Sequence, residues 1–174
     1  MVVIRKANLK DAGNMAKVHV DSWKTTYKGI VPDTYLERLS YERREAMWKH
    51  ILSNQTNDVV FVAEDDEKGI VGFSSGGQER SQNPVYQGEL YAIYLLQAFQ
   101  GKGIGRQLTN AVVEYLINRG YSNMLLWVLQ DNPSRHYYEH IGGKQFSEKV
   151  EEMDGKALIE CSYVWDDIHT WKLN

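Results

Sequence analysis

Apolar and polar positions along this chain recur with two periods, near two and near three to four, and the switches between them mark out its elements. Val2 to Arg5 reads as a short strand. Asn8-Leu9-Lys10-Asp11 offers capping side chains, and Ala12, Met15, Ala16, Val18, His19 and Trp23 then recur on one helical face. Gly29 to Asp33 interrupts that helix, and helical stretches follow through Tyr35-Leu36 and from Arg43 to Leu52. Val59 to Ala63 and Ile70 to Ser74 flank the turn residues Asp65 to Gly69, which predicts a hairpin. Gly88 to Leu96 is a further strand. A glycine-rich turn leads into a helix from Ile104 to Arg119, with Gly120 where a left-handed cap would stand. Asn123 to Leu129 is an apolar strand. Pro133 opens a short helix that Gly142-Gly143 ends. Lys144 to Val150 and Leu158 to Val164 are the last strands, with Asp154-Gly155 as a turn signal between them. The tail from Asp166 to Asn174 has no clear pattern.

The expected fold is α/β, with a mixed central sheet of about six to seven strands flanked by helices. Its central strand-helix-strand unit is right-handed with parallel strands. No repeat, low-complexity tract or linker divides the 174 residues, so residues 1–174 read as a single domain. A domain of this length buries roughly two-thirds of its unfolded surface and needs no disulfide or metal to fold.

Composition removes several function classes. Cys161 is the single cysteine, which excludes an internal disulfide and argues against a structural zinc. His19, His50, His136, His140 and His169 are scattered. His136 and His140 stand four apart but lack a third ligand, so all five read as surface histidines and no metal is expected. The first residues show no signal-peptide pattern, and no segment approaches the roughly 18 apolar residues of a membrane span. A cytoplasmic, membrane-free setting is expected. The formal net charge of -3 argues against a nucleic-acid partner and suits a cationic small substrate.

The chemistry is concentrated at Gln100-Gly101-Lys102-Gly103-Ile104-Gly105. Glycines let a ligand approach the backbone closely. The amides that open a helix have no partner within it and lie at the positive end of its dipole. A pyrophosphate suits such a pocket, with Lys102 and Arg106 adding positive charge. Two other phosphate motifs do not fit. A Walker A loop needs Ser or Thr after Gly-Lys, and Gly103 stands there; a dinucleotide fingerprint needs a third glycine where Arg106 stands.

The turn resembles the signature of the GNAT acetyltransferase superfamily, Arg/Gln-x-x-Gly-x-Gly/Ala between a strand and a helix. Asn132 to Gly143 resembles that family's second signature, an Asn followed by a short helix ending in Tyr-Glu-x-hydrophobic-Gly-Gly/Phe. The order of elements agrees from about Val2 to Val164. The resemblance implies an acyl-CoA-dependent N-acyltransferase with acetyl-CoA as the default donor and no metal. It implies that the backbone of Ile93, Tyr94 and Leu95 holds the pantetheine arm, that Gln100 to Arg106 bind the pyrophosphate, and that Asn132 meets the arm from the other side. A plain helix cap is the alternative for Asn132.

By the same resemblance Tyr138 is the general acid for the departing thiolate, the alternative being a packed aromatic. Glu89 is the candidate base, with a solvated strand-end carboxylate or a cation anchor as alternatives. Strand alternation places Glu89, Tyr91, Ile93 and Leu95 on one face. Trp23 and Tyr27, four apart in the first helix, either line the acceptor cleft or pack as core. The acceptor is an amine of a polyamine, amino sugar, amino acid or protein, and the oligomeric state is open, a homodimer included. Two other readings are a non-catalytic acyl-CoA-binding module and an unrelated α/β nucleotide-binding domain.

Overall fold

Each stretch singled out by its periodicity is an element of the computed structural model, which describes residues 1–172. The chain runs β1 (Val2–Lys6), α1 (Ala12–Thr26), α2 (Asp33–Glu37), α3 (Tyr41–Ser53), β2 (Asp58–Asp65), β3 (Gly69–Gln78), β4 (Gly88–Leu95), α4 (Ile104–Asn118), β5 (Met124–Leu129), α5 (Ser134–His140), β6 (Lys144–Met153) and β7 (Lys156–Trp165). The start of α1 is held by side chains. Asn8 accepts from the Lys10 amide, and the Asp11 carboxylate accepts from the Asn8 amide and from both ends of the Arg5 guanidinium. That last bond ties the helix to β1 and holds the Asp11 carboxyl below its usual range.

The seven strands form one sheet in the order β1-β2-β3-β4-β5-β7-β6. All neighbours are antiparallel except β4 and β5. On one face α1 and α3 bury Met15, Val18 and Trp48 against Val60, Val62 and Phe73. On the other, α4 buries Leu108, Val112 and Leu116 against Leu90, Ala63 and Leu126. The parity of each strand is read from these two clusters.

β4 breaks that parity. Ser75 pairs with Ala92 while the next residue, Gly76, pairs with Leu90, so Tyr91 is an extra, bulged residue. Gly76 is required opposite the bulge: a Cβ there would stand 2.4 Å from Val112 Cγ1 and 2.7 Å from the Glu89 carbonyl oxygen. The bulge corrects the expected face assignment. Ile93 and Leu95 do share a face, with α4, but Glu89 lies on the opposite face with Tyr94. Simple alternation fails because the extra residue reverses every side chain beyond it.

The same place ends the parallel ladder. β4 and β5 pair only from Gly88–Leu90 to Met124–Leu126, and beyond the bulge the two strands separate. The backbone of residues 91–95 therefore faces a cleft on its β5 side.

The β6–β7 hairpin turns on Asp154 and Gly155, both with positive φ, as a two-residue turn requires. Asp154 also fastens the hairpin to the α1–α2 region. Its carboxylate accepts from Thr34 Oγ1 at 2.8 Å and from Arg38 Nη1 at 2.9 Å, and Lys156 Nζ donates to the Ile30 carbonyl at 2.7 Å. The unpatterned tail contains a 3-10 turn at Ile168–Thr170, with Ile168 fully buried; residues 173–174 lie outside the described residues. Among the described residues no helix is long and apolar enough to cross a membrane.

Candidate active site

The separated strands open a cleft of about 640 Å³, which runs from the start of α4, past α5, to the β6–β7 hairpin. Its floor is the free edge of β4, Tyr91 to Leu95, facing Trp127 to Leu129 of β5. An open strand edge offers unpaired amides and carbonyls in a fixed register.

At one end stands the glycine turn. Gly101 and Gly103 have φ of +72° and +79°, conformations that other residues adopt only with strain. No protein atom lies within 4 Å of where a Cβ would stand on Gly101, Gly103 or Gly105, so the backbone there is open to a ligand. The first intrahelical amide bond of α4 runs from Gln107 to Gly103, which leaves the preceding amides free to face the cleft end. Gln100 fixes the turn to the strand, its side-chain amide donating to the Leu95 carbonyl at 3.1 Å.

In the middle stands Tyr138 on α5. It is 6% exposed, and burial pushes its hydroxyl well above the usual phenol range, with Tyr94 and Tyr137 adding to the rise. The phenol is therefore protonated at neutral pH and holds a proton that it can donate. Asn132 works in two directions: Oδ1 accepts from the Ser134 amide at 2.9 Å, capping α5, and Nδ2 donates to the Tyr27 hydroxyl at 3.2 Å across the cleft. Cap and cleft contact coexist in one side chain.

The far end is aromatic and charged. The Trp23 and Tyr27 rings meet at 4.5 Å between centroids with their planes tilted by 49°, and both line the cleft while packing in the cluster that holds Val31 and Leu129. Glu89 is 4% exposed and takes three hydrogen bonds from one residue: the Arg80 amide and Nε to Oε2, and Arg80 Nη2 to Oε1. It is not a solvated strand-end carboxylate. An ionised carboxylate has about four acceptor sites, so one on Oε1 stays free.

Of the residues expected from sequence, Trp23, Tyr27, Glu89, Ile93, Tyr94, Leu95, Gln100, Gly101, Gly103, Gly105, Arg106, Asn132 and Tyr138 meet in this cleft. Two point elsewhere. The Lys102 ammonium stands 5.1 Å from the Phe99 ring centroid and its side chain does not line the cleft, and the Ile104 side chain packs with Leu108 and Val71 in the core. One histidine was misread: His19 is 6% exposed, with Nδ1 accepting from Trp48 Nε1 at 3.2 Å and its ring stacked on Tyr94. Burial, then the charge of Arg44, lower its pKa to about 3.

Sequence reasoning missed Arg80, Trp127, Lys149, Glu151 and Glu160, all of which line the cleft. Glu160 left a trace, a lone carboxylate in the otherwise uncharged run from Ala157 to Trp165. Arg80 left none, because it sits in a loop that no periodicity describes.

Residues 20–143 match the Acetyltransferase (GNAT) family. The chain is 41% identical over 172 residues to the uncharacterized N-acetyltransferase YuaI of Bacillus subtilis (strain 168), covering 99% of this chain and 97% of that one. It is 26% identical to the spermidine N(1)-acetyltransferase of Thermoplasma acidophilum, over 91% and 94% of the two chains. Among solved structures, the PaiA N-acetyltransferase of Thermoplasma acidophilum in complex with coenzyme A superposes with a TM-score of 0.67 at 24% identity, covering 93% and 98% of the chains. The acetyltransferase yncA of Salmonella typhimurium with acetyl-CoA gives 0.70 at 19%, covering 95% and 93%. These two share the fold. The matched span takes in most of the residues, and the YuaI alignment runs nearly end to end: the chain belongs to the GNAT acetyltransferase family.

Proposed function

We propose that the cleft transfers an acetyl group from acetyl-CoA to a primary amine of a small molecule or peptide, by direct attack within a ternary complex. One observation carries this reading: the open β4 edge, the glycine turn and the buried Tyr138 all line a single cleft. The two amides of a pantetheine arm match the edge of Ile93, Tyr94 and Leu95 as an added strand would. The turn from Gln100 to Arg106 takes the pyrophosphate through its backbone amides, with Arg106 supplying charge and Lys102 and Ile104 serving by their amides alone. Asn132 faces the arm from α5. Solved relatives described as holding coenzyme A or acetyl-CoA support the same donor.

A lysine-like amine has a pKa of about 10.4, so only roughly one molecule in a few thousand is neutral at pH 7. Its proton must leave before it attacks the thioester carbon. Glu89 is assigned as proton acceptor, through the free site on Oε1, directly or across one water. Attack forms a carbon–nitrogen bond and places negative charge on the carbonyl oxygen. Collapse breaks the carbon–sulfur bond, the Tyr138 hydroxyl donates its proton to the thiolate, and the extra proton on the new amide nitrogen leaves, directly or across water, to restore the phenol. The phenol resists ionisation in its buried place, but the same burial disfavours a free thiolate beside it. Trp23 and Tyr27 hold the apolar part of the acceptor. The spermidine acceptor named for the Thermoplasma relative supports a cationic amine.

The test is a panel of amines with acetyl-CoA, following release of free thiol, alongside thermal melting with acetyl-CoA, NAD and ATP. Thiol release with at least one amine, and a melting rise with acetyl-CoA alone, is the expected result. A melting rise without turnover of any amine would make the chain a binding module. No rise at millimolar acetyl-CoA would remove the donor assignment.

A further inference from the structure

The acceptor end of the cleft carries two cations of the chain's own, and both are seated alike. Arg80 is paired with Glu89 and lies over the Tyr91 ring, its guanidinium carbon 3.7 Å from the centroid. Lys149 Nζ stands 3.2 Å from Glu160 Oε2 and 3.4 Å from Glu151 Oε1, and 4.5 Å from the centroid of Trp127. The second group is assembled from three adjacent strands, since β7 pairs with both β5 and β6 and Lys149 is the cross-strand partner of Glu160. Its members share the sheet face that lines the cleft.

The two groups differ in charge. Arg80 meets one carboxylate and neutralises it. Lys149 is shared by two, and neither Glu151 nor Glu160 has another ion-pair partner among the described residues. One negative charge is left over. Lys149 is also held loosely, its side chain 42% exposed, and exposed ion pairs of this kind are weak. An aromatic face beside carboxylates is a setting that ammonium groups favour. Glu89 lies beside Leu125 and Glu160 beside Leu129, so the two backbone positions, on the strands either side of β5, are offset along it by four residues, or roughly 13 Å. That span leaves room for an aliphatic chain between a reacting amine and a second charge.

We propose that Trp127, Glu151 and Glu160 form the subsite for a second ammonium group on the acceptor, and that Lys149, seated in that subsite, determines how strongly dicationic acceptors are preferred. This deepens the acceptor reading above and rests on it. Lys149 is a built-in competitor: the substrate's second ammonium displaces it from Trp127 and takes over one of its carboxylates. Substitution at Lys149 and at Glu160 therefore moves acceptor preference in opposite directions.

The experiment measures KM at saturating acetyl-CoA for linear α,ω-diamines of four to eight carbons and for monoamines of equal length. Lys149→Gln lowers the diamine-to-monoamine KM ratio by about threefold, and Glu160→Gln raises it by a similar factor. A ratio indifferent to both variants overturns the proposal. So does a Lys149→Gln variant that raises KM only for amino-acid acceptors, which would assign the lysine to a substrate carboxylate. If Glu160→Gln does not fold, the exposed Lys149→Gln decides alone. Absence of turnover with every amine in the unmodified protein is a different failure, of the acceptor reading and not of the subsite.

Discussion

Along the donor half of the cleft, from Tyr91 to Arg106, the groups offered to a ligand are almost all backbone: a free strand edge and the amides of a glycine turn. Along the acceptor half, from Trp23 and Glu89 to Glu160, they are almost all side chains, contributed by α1, β4, β5, β6, β7 and the loop of Arg80. Backbone recognition constrains sequence through geometry. A turn with φ of +72° and +79° wants glycine whatever the rest of the chain does. Side-chain recognition imposes no such spacing, and each contributing strand is free to change one residue without disturbing its neighbours. The donor half should therefore fail through conformation and the acceptor half through chemistry.

The largest effect is expected where the halves meet. Tyr138→Phe keeps the ring and its packing and removes only the hydroxyl. Turnover should fall by a factor on the order of 10² or more while acetyl-CoA still raises the melting temperature. Unchanged turnover would move the acid role elsewhere and leave the donor half as a binding surface only.

Gly105→Ala probes the donor half alone. Gly105 lies within α4 with negative φ, and no protein atom would touch the added Cβ. Alanine is favoured over glycine in a helix by about 1 kcal/mol, so the free protein should melt higher. The acetyl-CoA KM should nevertheless rise about tenfold, because the methyl stands where the proposed reading brings the pyrophosphate to the backbone. A higher melting temperature with unaltered KM would show that the turn meets its ligand by another edge.

His19 of α1 stacks on Tyr94 and reports through pH. Its pKa is lowered from 6.5 to about 3 by burial and by Arg44, so the unfolded chain binds more protons than the folded one between those values. Stability is whole above about 6.5 and declines as pH falls toward 3, with a slope of up to about 1.4 kcal/mol per pH unit. In His19→Phe this part of the decline should vanish from urea titrations at pH 4 to 6. Persistence of the full slope would place the sensitivity on other groups.

The smallest effect is expected at the latch between the hairpin and α2. Asp154→Ala frees Thr34 and Arg38. The amine KM should rise about two- to threefold with the acetyl-CoA KM unmoved, since exposed ion pairs hold little. Equal changes in both would mean that the halves are mechanically one.

The same contrast explains what could be read in advance. The positions of the strands, the Gln100 to Gly105 turn and the Asn132 to Gly143 helix were legible because periodicity and glycine spacing are local properties. Tyr138 was placed by its position in the second signature, since tyrosine as a residue type is common in this chain. Glu89 was found but put on the wrong face, because a bulge cannot be seen in a strand's own residues; it is defined by the partner strand. The side chains of Lys149, Glu151 and Glu160 meet only after β6 and β7 fold back on β5, and no short stretch of sequence holds that fact. His19 was misjudged because its partners, Trp48, Phe73 and Tyr94, come from three other elements.

The bulge at Tyr91 acts on the sheet as a dislocation acts on a crystal lattice. One extra unit in one row forces the rows beyond it out of step, and the mismatch opens into a gap. If that unit were removed by loss of a single codon, β4 could run in phase with β5 for its whole length. The described residues would still form seven strands and five helices, with no cleft left for the proposed thioester.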